Sequence, residues 1–173
     1  MQKSLQKKRK HAVVLNAAIK KLTVMGTTFQ ANITKTTDNQ RQAIINLLQA
    51  SKLPVADLPA SLENFFVVMD HDTLIGVIGV EQYGDVGLLR SMAVDTAYRN
   101  KNIASKLLQQ VESYASTIGI HYIYLLTETA SKYFEKKGYQ KTTRDEVPEV
   151  LQASSEFSHV CPVSAIVMKK EMK

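Results

Sequence analysis

The segment from Leu88 to Ala104, LLRSMAVDTAYRNKNIA, restricts the fold more than any other part of the chain. It starts as an apolar run suited to a buried strand and breaks at Asp95-Thr96-Ala97. It then crosses a basic, amide-rich turn, Arg99-Asn100-Lys101-Asn102, and enters a helix at Ile103. On that helix Ile103, Leu107, Leu108, Val111, Ala115 and Ile118 share one face, with Lys106, Gln109, Glu112, Ser113 and Ser116 on the other. Gly119 ends it, and Ile120–Leu126 is a β-rich run fit for a central strand. A strand, a helix of this length and a second strand predict a parallel pair with a right-handed crossover. The same order brings free backbone N–H groups and the positive end of a helix dipole to one point, which is how a fold holds a phosphate or pyrophosphate without a metal.

The remaining pattern builds a sheet around that unit. Phe29–Thr36 alternates and predicts a first strand; Asp38 is placed to cap a helix whose apolar stripe is Ala43, Ile44, Leu47 and Leu48. Pro54 and Pro59 bracket a loop over Leu53–Ala60. Asn64–Met69 and Thr73–Glu81 read as two strands joined across Asp70-His71-Asp72, with Val86–Val94 as the next, so three successive antiparallel strands are expected. After the parallel strand come a short helix over Ala130–Lys137, stopped by Gly138, and a strand over Tyr139–Thr143. A helix from Pro148 to about Phe157 and a last strand over Ala165–Lys169 complete the pattern.

Charge has to be located before it is interpreted. The chain of 173 residues carries a net charge of +6, yet eight basic and no acidic residues precede Asp38, leaving 14 basic against 16 acidic residues in the remainder. The positive excess is therefore an N-terminal property. Residues 1–28 are expected to be a basic extension, and residues 29–173 a single domain. The extension makes a poor signal peptide, because its apolar run from Ala12 to Ile19 is short and holds Asn16. Nucleic-acid binding is not expected of the body, and no apolar stretch is long enough to span a bilayer. A lone cysteine, Cys161, excludes an internal disulfide and points to a reducing, cytoplasmic setting.

Two motifs carry a resemblance. The turn Arg99-Asn100-Lys101-Asn102-Ile103-Ala104 is similar to the [Arg/Gln]-x-x-Gly-x-[Gly/Ala] turn of the GNAT superfamily of N-acetyltransferases. The run Ala130-Ser131-Lys132-Tyr133-Phe134-Glu135-Lys136-Lys137-Gly138-Tyr139 resembles its Ala-x-x-Phe-Tyr-Glu-Lys-x-Gly-Phe signature. The resemblance covers about residues 29–170 and implies an α/β (α+β) fold: a mixed, mostly antiparallel sheet with a central parallel β-α-β unit flanked by helices. Gly87–Val94 and the tail from Arg144 to Met168 look like the small members associated with arsenic-resistance operons. There are two departures: Asn102 stands where the family has glycine, and Phe134 stands where it has its general-acid tyrosine.

The resemblance implies acetyl transfer from acetyl-CoA to the amine of a small molecule, with no metal. The amides of Met92, Ala93 and Val94 would polarise the thioester carbonyl, and those of Arg99, Asn100, Lys101, Asn102, Ile103, Ala104 and Ser105 would hold the pyrophosphate. Glu81 and Glu128 are the candidate bases and Tyr133 the nearest tyrosine, although one residue on a helix is about 100° of rotation from Phe134. Arg90 interrupts an apolar strand; it either pairs with a carboxylate in the sheet or recognises an acidic group on the substrate. The alternative reading is a coenzyme-binding or regulatory module without turnover. A homodimer is left open.

Overall fold

The computed structural model describes residues 32–172. Seven strands form one sheet: β1 (Ile33–Lys35), β2 (Phe65–Asp70), β3 (Thr73–Tyr83), β4 (Val86–Val94), β5 (Tyr122–Thr127), β6 (Gln140–Thr142) and β7 (Ile166–Glu171), in the spatial order β1-β2-β3-β4-β5-β7-β6. Every pairing is antiparallel except β4 with β5. The helices are α1 (Arg41–Ala50), α2 (Ile103–Thr117), α3 (Ser131–Glu135) and α4 (Glu149–Gln152). This is the α/β (α+β) architecture that the sequence pattern and the resemblance predict. The basic segment 1–28 and the start of the expected first strand lie outside the described residues. No helix among those described is long and apolar enough to cross a membrane.

Several boundaries shift for local reasons. Gln40, not Asp38, is the cap of α1, and the turn before it is capped by Thr37, whose backbone N–H donates to Gln40 Oε1 at 2.9 Å. Asp38 instead opens a single 3₁₀ turn. The expected helix from Pro148 to Phe157 divides into α4 and a π-helical turn over Glu156–Val160, with Pro148 as the cap of α4. The wide turn closes with Cys161 N–H donating to the Glu156 carbonyl at 3.0 Å, and it directs two adjacent side chains, Glu156 and Phe157, inward.

Sheet packing explains the rest of the frame. α1 buries Ile44, Leu47 and Leu48 against Phe65, Val67, Val77 and Ala93. Farther along the sheet, Val147, Leu151 and Phe157 cover Val86, Leu88, Tyr124 and Val167. α2 buries Ile103, Leu107, Leu108, Val111 and Ala115, the face assigned from periodicity. Its close approach to β3 requires Gly76, where a Cβ would meet Leu107 Cδ1 at 3.1 Å and Ile103 Cγ2 at 3.2 Å. Each large apolar side chain buried in this way contributes about 1.5–3 kcal/mol, so the start of α2 is rigidly fixed to the sheet.

Candidate active site

The site begins where the parallel pair comes apart. β4 and β5 pair only at Val86–Leu88 with Tyr122–Tyr124. Beyond that point β4 stays with β3 as far as Val94, and β5 stays with β7 as far as Thr127. The unpaired halves open a cavity of about 1120 Å³. Its walls are Leu89–Val94, Leu125–Ala130, the first turn of α2, Tyr133 and Phe134 from α3, the loop Ser51–Pro54, and Glu156 with Val160–Pro162. Backbone groups that would otherwise make a ladder face this space. Ser91 marks the break in β4, with φ of 57° in the left-handed region.

The polar turn closes one end of the cavity. Asp95 Oδ1 accepts from the Ala97 N–H at 2.8 Å, turning the chain out of β4. Asn100 and Asn102 both adopt left-handed conformations, φ 62° and 61°, which asparagine tolerates better than other side chains bearing a Cβ. Asn102 is the cap of α2, but its side chain makes no hydrogen bond to the first turn. The leading N–H groups of a fifteen-residue helix are thus left for an outside acceptor. Met92, Ala93, Val94, Arg99, Asn100, Asn102, Ile103, Ala104 and Ser105 all line the cavity. Lys101 does not: its Nζ lies 4.6 Å from the centroid of the Tyr98 ring. The Tyr98 hydroxyl in turn donates to Asp70 at the β2–β3 hairpin, a bond that holds the Asp70 carboxyl below its ordinary value.

The candidate acid–base residues separate. Glu128 is exposed and lines the cavity just past β5. Tyr133 also lines it, edge-on to Phe134 with ring centroids 5.3 Å apart. Its hydroxyl is buried and no protein group bonds to it with good geometry. Burial holds the phenol above its ordinary pKa, against the influence of the Ser105 hydroxyl. Both residues of the Tyr133-Phe134 pair line the cavity despite the rotation of about 100° between them. Glu81 is not on the wall. Its carboxylate accepts from Arg90 Nη1 and, at 3.1 Å, from the Tyr83 hydroxyl.

Arg90 takes the first of its two alternatives: it pairs with carboxylates. Its guanidinium, 2% exposed, meets Asp57 Oδ2 at 2.7 Å through Nη2, Glu81 through Nη1, and Glu156 Oε1 at 3.4 Å through Nε. Nη1 also donates to the Asp57 carbonyl at 3.1 Å. Satisfying all the nitrogens this way makes burial of the cation tolerable. Asp57 and Glu156 escaped sequence reasoning, because they lie 33 and more residues from Arg90 in sequence and each sits in an irregular segment. The only sequence signal was Arg90 itself, an unexplained charge in an apolar strand. Burial pushes the Glu156 carboxyl up to about 7, Arg90 opposing that rise and Asp57 and Glu81 adding to it. Burial likewise pushes the nearby Cys161 up to about 11, so it is a thiol rather than a nucleophilic thiolate at neutral pH.

Comparisons with known proteins agree with this geometry. Residues 61–141 match the acetyltransferase (GNAT) domain family. The chain is 26% identical over 93 residues to an amino-acid acetyltransferase of Pseudomonas fluorescens, a match over 53% of this chain and 22% of that protein. Its fold is similar to N-acetylglutamate synthase from Neisseria gonorrhoeae, crystallised with coenzyme A and N-acetyl-glutamate (TM-score 0.71, 17% identity, 84% of this chain and 36% of that one). It is also similar to a GNAT-family acetyltransferase from Staphylococcus aureus Mu50 (TM-score 0.67, 22% identity, 83% and 100%). The chain thus spans about a fifth of the length of the Pseudomonas enzyme and about a third of the Neisseria synthase. The splayed parallel strands, the left-handed turn and the matched residues 61–141 all resemble the acetyltransferase (GNAT) domain.

Proposed function

We propose that the protein is an N-acetyltransferase that passes the acetyl group of acetyl-CoA directly to the amine of a small molecule. The observation that carries this reading is the convergence, on one cavity, of the free edge of β4 and the uncapped start of α2. Backbone N–H groups of Arg99–Ser105 hold the pyrophosphate, drawing on the helix dipole. Amides of Met92–Val94 on the edge of β4 that no longer pairs with β5 hydrogen-bond the acetyl carbonyl as negative charge builds on its oxygen. The Tyr133 hydroxyl, kept protonated by burial, donates to the departing sulfur. Coenzyme A is the bound ligand of the Neisseria structure, which supports the same donor here.

Two carboxylates on the cavity wall, Glu128 and Glu156, are within the space an acceptor amine would occupy. Arg90 serves the acceptor indirectly, by organising Glu156, rather than through direct contact. The names of the Pseudomonas and Neisseria relatives favour an amino-acid-like acceptor. The likeness to arsenic-resistance members adds metalloid-containing amines to the compounds worth testing. We place the enzyme in the cytoplasm, as a protein acting on small molecules alone. The test is calorimetry with acetyl-CoA, followed by thiol release with a panel of amines led by amino acids. Micromolar binding together with turnover on at least one amine is expected. Phe134 at the family's tyrosine position favours a second reading, a coenzyme-binding module without turnover, which would bind acetyl-CoA and release no thiol with any amine.

A further inference from the structure

We infer that Glu156 is the general base of this site, receiving the acceptor as an ammonium ion and taking its proton. The inference rests on the acetyltransferase reading above and assigns the acceptor end of the same cavity.

The side chain reaches the cavity from the π-helical turn, is about nine-tenths buried, and has as its one ion-pair contact the 3.4 Å approach to Arg90 Nε. That contact is the longest of Arg90's three, since the guanidinium is committed first to Glu81 and Asp57. One cation facing three carboxylates leaves a net charge of −2 when all are ionised. Asp57 Oδ1 adds a buried oxygen with no hydrogen-bond partner. Among the described residues this cluster is therefore short of positive charge, and an ammonium group supplies both charge and N–H donors. Arg90, Tyr83 and Cys161, which act on the same group, do not take the proton at neutral pH. Arg90 stays charged, the Tyr83 phenol is pushed up to about 12 and the Cys161 thiol to about 11, and Arg144 is turned to the Phe157 and Pro162 carbonyls. Glu81 and Asp57 are held by Arg90, and Glu128 is exposed at the mouth, where water competes for it. A carboxyl near 7 is matched to ammonium deprotonation at physiological pH better than one in the ordinary range.

The proton balance follows. An ammonium N–H bond breaks and an O–H bond forms at Glu156, which later releases that proton to solvent through the open cavity. The freed nitrogen lone pair bonds to the acetyl carbon while the carbon–sulfur bond breaks. Tyr133 gives its proton to the departing sulfur, and the second proton lost by nitrogen on amide formation passes through solvent to restore the Tyr133 phenol.

The test compares Glu156→Gln, which keeps size and polarity, with the wild-type protein across pH, reading thiol release and coenzyme affinity separately. The expected result is a fall in kcat/KM for the amine of about 100-fold or more, with loss of the rising limb centred near pH 7 and an unchanged Kd for coenzyme A. If Gln does not fold, Glu156→Asp and the wild-type pH profile carry the test: a wild-type limb absent between about pH 6 and 8 overturns the inference. A Gln variant as fast as wild type, with the same limb, overturns it alone. A wild-type protein that binds coenzyme but turns over no amine sinks the acetyltransferase reading instead, and this assignment with it.

Discussion

The two ends of the cavity are built by opposite means. The end proposed to hold the coenzyme comes from one continuous stretch, Ser91 to Ser105, and would bind through its backbone. The end proposed to receive the acceptor depends on side chains: Glu156 on the π turn and Arg90 on β4 line it, with Asp57 after α1 and Glu81 on β3 behind them as partners of Arg90. A backbone site depends on conformation and tolerates changes of side chain that preserve it. A side-chain site depends on charge balance, and removing one member exposes the others. On the proposed reading, the coenzyme end can stay constant while the acceptor end varies.

The contrast is sharpest at Arg90. Replacing it with Met leaves three carboxylates facing one another in a buried space and is expected to cost about 3–5 kcal/mol in urea unfolding at neutral pH. The loss should shrink in acid, where the carboxyls are protonated; a loss under about 1 kcal/mol would show that the cluster is solvated rather than buried. Next in size is Tyr133→Phe. Because the lost hydroxyl has no partner, stability should hold within about 0.5 kcal/mol while kcat falls about 10- to 100-fold. An unchanged kcat would return Tyr133 to a packing role.

Glu156 ties stability to pH with a definite sign. Its folded pKa, about 7, lies above the ordinary 4.5, so the folded protein keeps a proton that the unfolded chain has released. That contribution is complete below about 4.5 and is lost as pH rises through about 7. Glu156→Gln should flatten this slope, by on the order of 1 kcal/mol across the window, in parallel melts at the two ends. A wild-type stability that rises with pH over the same range would contradict the placement of Glu156. The smallest effects belong to the coenzyme end. Asn102→Ala, forced into a left-handed cap, should cost about 1 kcal/mol and weaken coenzyme A several-fold, whereas Asn102→Gly should stay within about 0.5 kcal/mol of wild type. If Ala and Gly behave alike, the turn does not depend on its left-handed backbone.

The order in which these features could be read follows from the range of the interactions behind them. Periodicity placed α2 and its buried face, because a helix records its environment every three or four residues. Apolar runs separated by polar turns such as Asp70-His71-Asp72 placed the β2–β3–β4 meander to within a few residues. The end of the C-terminal helix was misplaced because a π turn has no signature in spacing: Glu156 and Phe157 read as one more helical turn. Glu81 read as a base for the same reason, since its ion pair with Arg90 nine positions away is invisible in a strand pattern.

What the sequence determined by itself is local: a strand broken at Asp95, a polar turn in which Asn102 tolerates positive φ, and a helix that starts at Ile103. Only the tertiary structure decided how far β4 and β5 stay together, since the partner strands β3 and β7 hold their outer halves apart. It alone decided which carboxylate reaches the cavity, because burial and charge at one point are sums over residues that the chain brings together from four separate segments.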